Sequence, residues 1–94
     1  MSDVGFDPLI HEPNRLKICA LLAPITSLEF MTLREQLQVS DSALSKHIKS
    51  LEEAGYVIIN KKSSQGRQRT WLLLSPEGRK AFSGHVKALK KIVG

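Results

Sequence analysis

The apolar positions of residues 42–56, SALSKHIKSLEEAGY, repeat with the period of an amphipathic helix. Leu44, Ile48 and Leu51 follow the i, i+4, i+7 spacing that stacks side chains along one face. Gly55 continues that line and is a natural residue to end the helix. The opposite face carries short hydroxyls and ammonium groups, from Ser42, Ser45, Lys46 and Lys49. Serine stabilises a solvated helix poorly, so this face favours close approach to an anionic partner.

The residues before this segment predict another helix near the N-terminus. NRLKICALLA, residues 14–23, begins next to Glu12 and Pro13, and Pro24 ends it. Beyond Lys17 the segment is apolar on every side. A helix without a polar face is buried on more than one side, which in so small a domain favours a partner surface.

A helix-turn-helix is predicted over about residues 32–54. SLEF at 27–30 indicates a brief extended segment before it. TLRE at 32–35 has the pattern of a capping box, which predicts a helix from there to about Leu37. The next three residues form a tight turn that ends on Ser40, the predicted N-cap of the amphipathic helix.

Two β-branched segments and a final helix complete the predicted order. YVIINKK at 56–62 and QRTWLLL at 68–74 flank a glycine-containing turn, which predicts a hairpin over about residues 57–74. Ser75 is then the N-cap of a last helix over about 76–93.

Length and composition exclude several classes of protein. Ninety-four residues are enough for one domain, 1–94, but too few to enclose a substrate and support a reaction centre. The sequence has no nucleophile with a nearby base, no phosphate loop and no metal-ligand cluster, and its histidines, at positions 11, 47 and 85, lack close ligand spacing. We therefore expect no enzyme activity, no cofactor and no bound metal.

The sequence predicts a cytoplasmic protein. No apolar run reaches membrane-spanning length, and the N-terminus, MSDVGFDP, carries acids where a secretory signal carries positive charge. The single cysteine, Cys19, excludes an internal disulfide and a multi-cysteine metal site. Its setting, KICALL, favours a small buried apolar residue, with a reactive thiol as the alternative.

The net charge of +5 is distributed unevenly along the chain. Residues 1–41 hold three basic and six acidic side chains, whereas residues 42–94 hold eleven basic and three acidic ones. The hairpin tip has no acid and carries Lys61, Lys62, Arg67 and Arg69. This asymmetry favours a surface that binds a polyanion, although lysines also promote solubility and protect exposed strands against aggregation.

Two segments resemble known transcriptional regulators. LSKHIKSLEEAGYV resembles the recognition helix of ArsR-type regulators, with matches at Ser45, His47, Ile48, Leu51 and Gly55. LLLSPEGRKAF resembles the strand-to-helix junction of MarR-type regulators, usually Leu-Thr-x-x-Gly-Arg. The resemblance spans roughly residues 14–90 and implies a winged helix-turn-helix, a mainly α fold with a small β-hairpin in the order α-β-α-α-β-β-α.

The resemblance implies sequence-specific binding to double-stranded DNA, with the amphipathic helix in the major groove and the hairpin, or wing, on the flanking backbone or minor groove. Gln38 departs from the glycine that often occupies the turn, and thiolate metal sensing is not implied because there is no cysteine cluster. We expect Arg67 in the minor groove and His47 as a half-buried packing residue. The expected DNA-contact residues are Thr32, Ser40, Ser42, Ser45, Lys46, Lys49, Lys62, Arg67 and Arg69.

Surplus apolar surface at both ends of the chain predicts a homodimer. From Phe82, apolar residues of the last helix recur at +4, +3, +4, which is typical of a coiled-coil seam. A dimer would place two recognition helices about 34 Å apart and require a pseudo-palindromic operator. Alternatively, the last helix folds back over the second apolar face of the hairpin, which the helix-weakening Gly84 favours. The expected interface residues are Leu16, Leu21, Phe82, Val86, Leu89 and Val93.

A protein-interaction module is the competing hypothesis for the function. A winged helix used in that way keeps the same core but needs neither a basic wing nor a basic recognition helix. Retention of duplex DNA by the protein distinguishes the two hypotheses.

Overall fold

A computed structural model describes residues 4–94, so residues 1–3 of the predicted domain lie outside the described part. Helices and strands follow the predicted order, with one additional helical turn before it. The elements are α1 (Pro8–His11), α2 (Pro13–Leu22), β1 (Leu28–Glu29), α3 (Phe30–Leu37), α4 (Asp41–Glu53), β2 (Val57–Ser64), β3 (Arg67–Leu74) and α5 (Pro76–Val93).

The three strands form an antiparallel sheet in the order β1-β3-β2. In the β2–β3 hairpin, Val57 pairs with Leu74 and Ser64 pairs with Arg67. The two residues between the strands, Gln65 and Gly66, have φ angles of 53° and 76°. Positive φ at both central residues is the requirement of the type I′ turn, whose twist matches that of the strands. The predicted hairpin is therefore confirmed.

One hydrophobic core joins the helices to one face of the sheet. Helix α2 lies at its centre and contacts α1, α3, α4, α5 and β3. The α4 seam, Leu44, Ile48 and Leu51, is buried in this core as predicted, whereas Gly55 is exposed. Alternation along the hairpin leaves the other sheet face more open, and Ile58 there is 40% exposed. The buried apolar set is Ile10, Ile18, Cys19, Leu22, Leu33, Leu44, Ile48, Leu51, Val57, Leu72 and Leu74.

The packing around α2 removes the reason for which the sequence predicted a partner surface at this helix. Ile18 and Leu22 are buried, and Leu16 and Leu21 are half-buried against the same core. Several elements of the chain thus cover the apolar sides of α2. Two neighbouring apolar residues remain exposed at the end of α5, where Ile92 and Val93 are 59% and 80% exposed.

The prediction that α3 starts with a capping box at Thr32 is wrong. Helix α3 begins at Phe30, and its N-cap position is Glu29, whose side chain makes no capping hydrogen bond. Glu29 is the last residue of β1 and pairs with Trp71, while its carboxylate accepts hydrogen bonds from Arg69. Strand pairing carries the chain directly from β1 into the helix, so a tertiary contact overrides the local sequence signal.

The first helical turn, α1, was not predicted. Asp7 is its N-cap, and the Asp7 carboxylate accepts hydrogen bonds from the backbone N–H groups of Leu9 and Ile10. Ile10 is fully buried and ties this turn to the core. Four residues are too short for a hydrophobic period, although the Asp7–Pro8 pair is a start signal of the kind used for the other helices.

The local signals around α4 are confirmed. Gln38 adopts the left-handed conformation at φ 56° and ends α3. The Ser40 hydroxyl accepts a hydrogen bond from the N–H of Ala43 at 3.1 Å and caps α4. At the other end Gly55 has φ 81°, and the N–H of Tyr56 donates to the carbonyl of Leu51, the six-to-one bond of a Schellman motif.

The structure places Cys19 in the core, as its sequence setting predicted. Its side chain is fully buried, and burial together with the charge of Asp7 raises the pKa of the thiol to about 11. A protonated, inaccessible thiol is a poor nucleophile, which disfavours the reactive-thiol alternative.

Candidate nucleic-acid interface

The outer face of α4 is an exposed row of hydroxyl and ammonium groups. Burial of the α4 seam in the core turns the opposite face of this helix outward. The Ser42 hydroxyl lies 3.4 Å from that of Ser40 at the start of the helix. The exposed residues of this face are Ser42, Ser45, Lys46 and Lys49, the same four that the sequence predicted.

An ion pair that the sequence analysis missed joins the two helices at the start of α4. Nη1 of Arg34, in the last turn of α3, lies 2.7 Å from Oδ1 of Asp41, the first residue of α4. Their side chains are 30% and 66% exposed. Seven positions separate the two residues on different helices, so no helical spacing indicates the contact. The αL turn at Gln38 is what brings them together.

A second polar cluster holds α4 against the start of α2. Nη1 of Arg15 donates to Nδ1 of His47 at 3.1 Å, and Nε of Arg15 donates to the carbonyl of Leu9 at 2.6 Å. Glu12 caps α2, and its Oε1 lies 3.8 Å from His47 Nδ1. Burial raises the pKa of Glu12, but other effects, led by the hydrogen bond from the N–H of Arg15, outweigh it and lower the pKa overall. His47 is half-buried as predicted, in a polar setting.

The basic residues of the wing are of two kinds, exposed cations without an ion-pair partner in the described chain and one cation in an ion pair. Lys61, Lys62 and Arg67 are exposed, and none of the described residues forms an ion pair with them. Arg69 is instead held by Glu29, with Nη1 3.2 Å from Oε1 and its Nε buried without a hydrogen-bond partner in the described chain. Three wing cations are thus available to an external anion, while the fourth is already paired.

The remaining predicted contacts lie on the helix-turn-helix and on the terminal helices. Thr32 is half-buried in the first turn of α3, and Ser40 is exposed. On α5, Phe82 and Val86 line an open groove of about 390 Å³ together with Arg79, Lys87 and Lys90. Of the predicted interface residues, Leu16, Leu21, Phe82, Val86 and Leu89 are half-buried, and Val93 is exposed.

The segment before α2 meets α5 in a cluster that we call the α5 junction, formed by Phe6, Asp7, His11, Tyr56 and His85. The N–H of Asp7 donates to Nδ1 of His85 at 2.9 Å, so the proton of the neutral His85 ring is on Nε2. That nitrogen lies 3.3 Å from Nδ1 of His11 and donates to it. The Tyr56 hydroxyl donates to Oδ2 of Asp7 at 2.6 Å.

The α5 junction is buried and neutral at its centre. His85 is fully buried, and burial and the neighbouring His11 lower its pKa against the opposing effect of Asp7. The ring of Phe6 packs 4.9 Å from both histidine rings. The hydrogen bond to Asp7, followed by burial, raises the pKa of Tyr56 to about 12. Sequence spacing could not indicate the histidine pair, because 74 positions separate its members.

The α5 junction does not suit a metal ion. A histidine that binds a metal through Nε2 carries its proton on Nδ1, where the N–H of Asp7 already donates. Within residues 4–94 no three His, Cys, Asp or Glu side chains are grouped to hold a metal ion.

None of the helices in that range is long and apolar enough to cross a membrane.

Known proteins resemble this chain in sequence and in fold. Residues 14–93 match the sequence profile of the winged helix DNA-binding domain. An uncharacterized protein of Methanocaldococcus jannaschii is 39% identical over 72 residues, which cover 77% of this chain and 78% of the relative. A transcriptional regulator homologue of Pyrococcus horikoshii OT3 superposes with a TM-score of 0.86 at 26% identity, over 90% of this chain and 84% of that one. The PcaV transcriptional regulator of Streptomyces coelicolor, solved with its natural ligand, shares the fold at 17% identity, with a TM-score of 0.78 over 94% and 61% of the two chains.

Proposed function

The chain belongs to the family of winged helix DNA-binding domains and has the fold of MarR-like transcriptional regulators, and from this we propose that it binds double-stranded DNA sequence-specifically as a homodimeric regulator. The observation that carries the proposal is the exposed face of α4. Its four polar residues lie opposite the buried seam and are supplied by a helix of 13 residues, long enough to enter a major groove. The role is non-catalytic and cytoplasmic.

The first turns of α4 supply the base contacts. Residues at the N-terminal end of a recognition helix lie deepest in the groove, which assigns Ser42, Ser45 and Lys46 to base edges. Lys49, one turn further along, meets a phosphate. Hydroxyl and ammonium donors suit the O6 and N7 acceptors of guanine and the O4 acceptor of thymine.

Backbone contacts flank this helix. The Ser40 hydroxyl accepts from Ala43 and retains its own proton, which it donates to a phosphate oxygen. Thr32 contacts the backbone from the first turn of α3. In the wing, Arg67 enters the flanking minor groove and Lys62 meets the adjacent phosphates. Arg69 reaches DNA only by leaving Glu29, so its contribution is smaller than that of Arg67.

A second copy of the chain completes the proposed regulator. The exposed apolar end of α5, together with its half-buried seam, supplies a surface that pairs across a two-fold axis. The partially covered Leu16 and Leu21 of α2 lie at its margin. Two recognition helices held about 34 Å apart match successive major grooves on one side of the duplex, so the operator is a pseudo-palindrome.

Selection of bound fragments from a random duplex library tests the function. Wild-type protein should enrich a pseudo-palindromic sequence at moderate salt. On that duplex, Arg67→Ala should reduce the slope of log K against log salt by about 1, because the bound protein then brings one cation fewer to the duplex and releases fewer counterions. Lys80→Ala is the matched control, since it removes an exposed cation from α5 outside the proposed surface and should leave the slope unchanged. Failure to retain any duplex at low salt would favour a protein-interaction module.

Sedimentation at micromolar concentration tests the dimer. Val93→Glu introduces a charge at a position that is 80% exposed in the single chain, so the fold should survive while the dimer dissociates. Val93→Thr has nearly the same shape without the charge and should remain dimeric. A wild-type monomer that binds an asymmetric site would contradict the proposed assembly.

A further inference from the structure

Asp41 lies where a DNA-binding surface has most reason to avoid negative charge. It is the first residue of α4, next to Ser42, and its side chain is 66% exposed. Phosphates on either side of a groove repel a carboxylate at this place. An acidic residue in the first turn stabilises a helix through the macrodipole, but the Ser40 hydroxyl already caps α4 by accepting from the N–H of Ala43. The carboxylate therefore calls for a role in recognition.

The Arg34–Asp41 pair leaves polar atoms of both side chains without a side-chain partner in the described chain. The contact is a single hydrogen bond, from Nη1 of Arg34 to Oδ1 of Asp41. Within residues 4–94 neither Oδ2 of Asp41 nor the other guanidinium nitrogens of Arg34 have a side-chain partner. The pair thus presents a fixed acceptor beside free donors at the leading end of the recognition helix.

Only one base matches a lone carboxylate in the major groove without conflict. Cytosine presents its N4 amino donor there and no acceptor, whereas thymine presents an acceptor and a methyl group, and guanine presents two acceptors. Adenine places an acceptor beside its amino group.

We propose that Asp41 is a specificity-determining residue that accepts a hydrogen bond from a cytosine amino group in the operator, and that Arg34 is the positioning residue that holds it. This inference rests on the proposed function, since it concerns the same recognition helix. Arg34 limits the rotamers of the carboxylate and offsets its charge against the phosphates. At a site without cytosine Oδ2 of Asp41 is brought against the duplex without a hydrogen-bond donor, so Asp41 also weakens non-specific binding.

Selection from a random duplex library separates this role from a structural one. Wild-type protein should enrich cytosine at one position of each half-site. Asp41→Asn keeps the shape of the side chain, but an amide pairs best with adenine, so this position should change from cytosine to adenine. Affinity for the original operator should fall about 5- to 100-fold, while affinity for unrelated duplex should rise several-fold. Glu52→Gln is the matched control, because it removes an exposed acid from the far end of the same helix and should leave the base preference unchanged.

A double-mutant cycle tests the role of Arg34. Arg34→Ala should weaken operator binding, because Asp41 is then neither held in place nor offset in charge, and Asp41→Asn should cost much less operator affinity in the Arg34→Ala background than in wild-type protein. Losses that add independently would overturn the positioning role and assign Arg34 to a direct DNA contact.

The outcomes distinguish this inference from the proposed function beneath it. Wild-type protein that retains no duplex refutes both. Wild-type protein that enriches an operator, together with an Asp41→Asn variant that enriches the same bases, refutes only the role of Asp41. Equal gains of non-specific affinity in Asp41→Asn and Glu52→Gln, with no change of base preference, reduce the effect to net charge and also overturn it.

Discussion

The α5 junction and the surface formed by α4 and the wing both contain several polar side chains, but these side chains bond to one another in the junction and remain exposed on the surface. In the α5 junction the N–H of Asp7 donates to His85, the Tyr56 hydroxyl donates to Asp7, and His85 is fully buried. On the other surface Lys46, Lys49 and three of the four wing cations are exposed and unpaired within the described chain. Polar groups that form hydrogen bonds within the protein stabilise the fold, whereas exposed polar groups without such partners are available to a ligand. Substitutions in the first region should therefore change stability, and those in the second should change binding.

The largest expected effect is at the start of α5. A Cβ at Gly78 would lie 2.1 Å from the carbonyl oxygen of Tyr56, which accepts the N–H of Ser75. Gly78→Ala should lower the free energy of unfolding by about 3 kcal/mol, because α5 must move away from the hairpin. Gly84→Ala is the control on the same helix, since its Cβ would meet Gly5 at an ordinary 3.7 Å. That change should be neutral or stabilise by up to about 1 kcal/mol in chemical unfolding.

The α5 junction should also make stability depend on pH. The pKa of His85 is lowered in the folded protein, so the unfolded chain binds more protons as the pH falls below about 6.5. The contribution of neutral His85 to the free energy of unfolding is fully present above that pH and is lost as the pH falls toward the lower pKa of the folded protein. The free energy of unfolding then changes by at most about 1.4 kcal/mol per pH unit. Urea unfolding at a series of pH values measures it. His85→Gln should flatten the dependence, and Lys87→Gln on the same helix should retain it.

A smaller effect is expected from the hydroxyl of Tyr56. Tyr56→Phe removes the 2.6 Å hydrogen bond to Asp7 and should cost about 1 kcal/mol of stability. Binding of folded protein to the selected operator should not change, because Tyr56 lies in the α5 junction. An altered base preference in this variant would show that the two regions are not independent.

The smallest effects separate the two arginines of the wing. Arg69→Ala breaks the ion pair with Glu29 and should lower stability by less than about 1 kcal/mol, since Arg69 is 37% exposed. Arg67→Ala should leave the melting temperature unchanged and act on the salt dependence of DNA binding. If Arg69→Ala instead reduces the salt slope as much as Arg67→Ala does, the paired cation leaves Glu29 to bind DNA.

Features that depend on residues close in sequence could be predicted. The buried seam of α4, the caps at Ser40 and Ser75, and the turn at Gln65 and Gly66 follow from side-chain period, local hydrogen bonds and the preference of glycine for positive φ. Each of these signals acts within about one helical turn. The exposed row on α4 then follows, because burying one face of a helix necessarily exposes the other.

Features that depend on distant residues came only from the tertiary structure. The start of α3 at Phe30 follows from the pairing of Glu29 with Trp71 across the sheet. The Arg34–Asp41 pair requires two helices to meet at a left-handed turn, and the His11–His85 contact joins positions 74 apart. Such contacts depend on how elements pack in space, which the periodicity of a single segment does not encode. The sequence by itself determined which surface of α4 faces outward, whereas packing decided which of the charged groups around it remain unpaired.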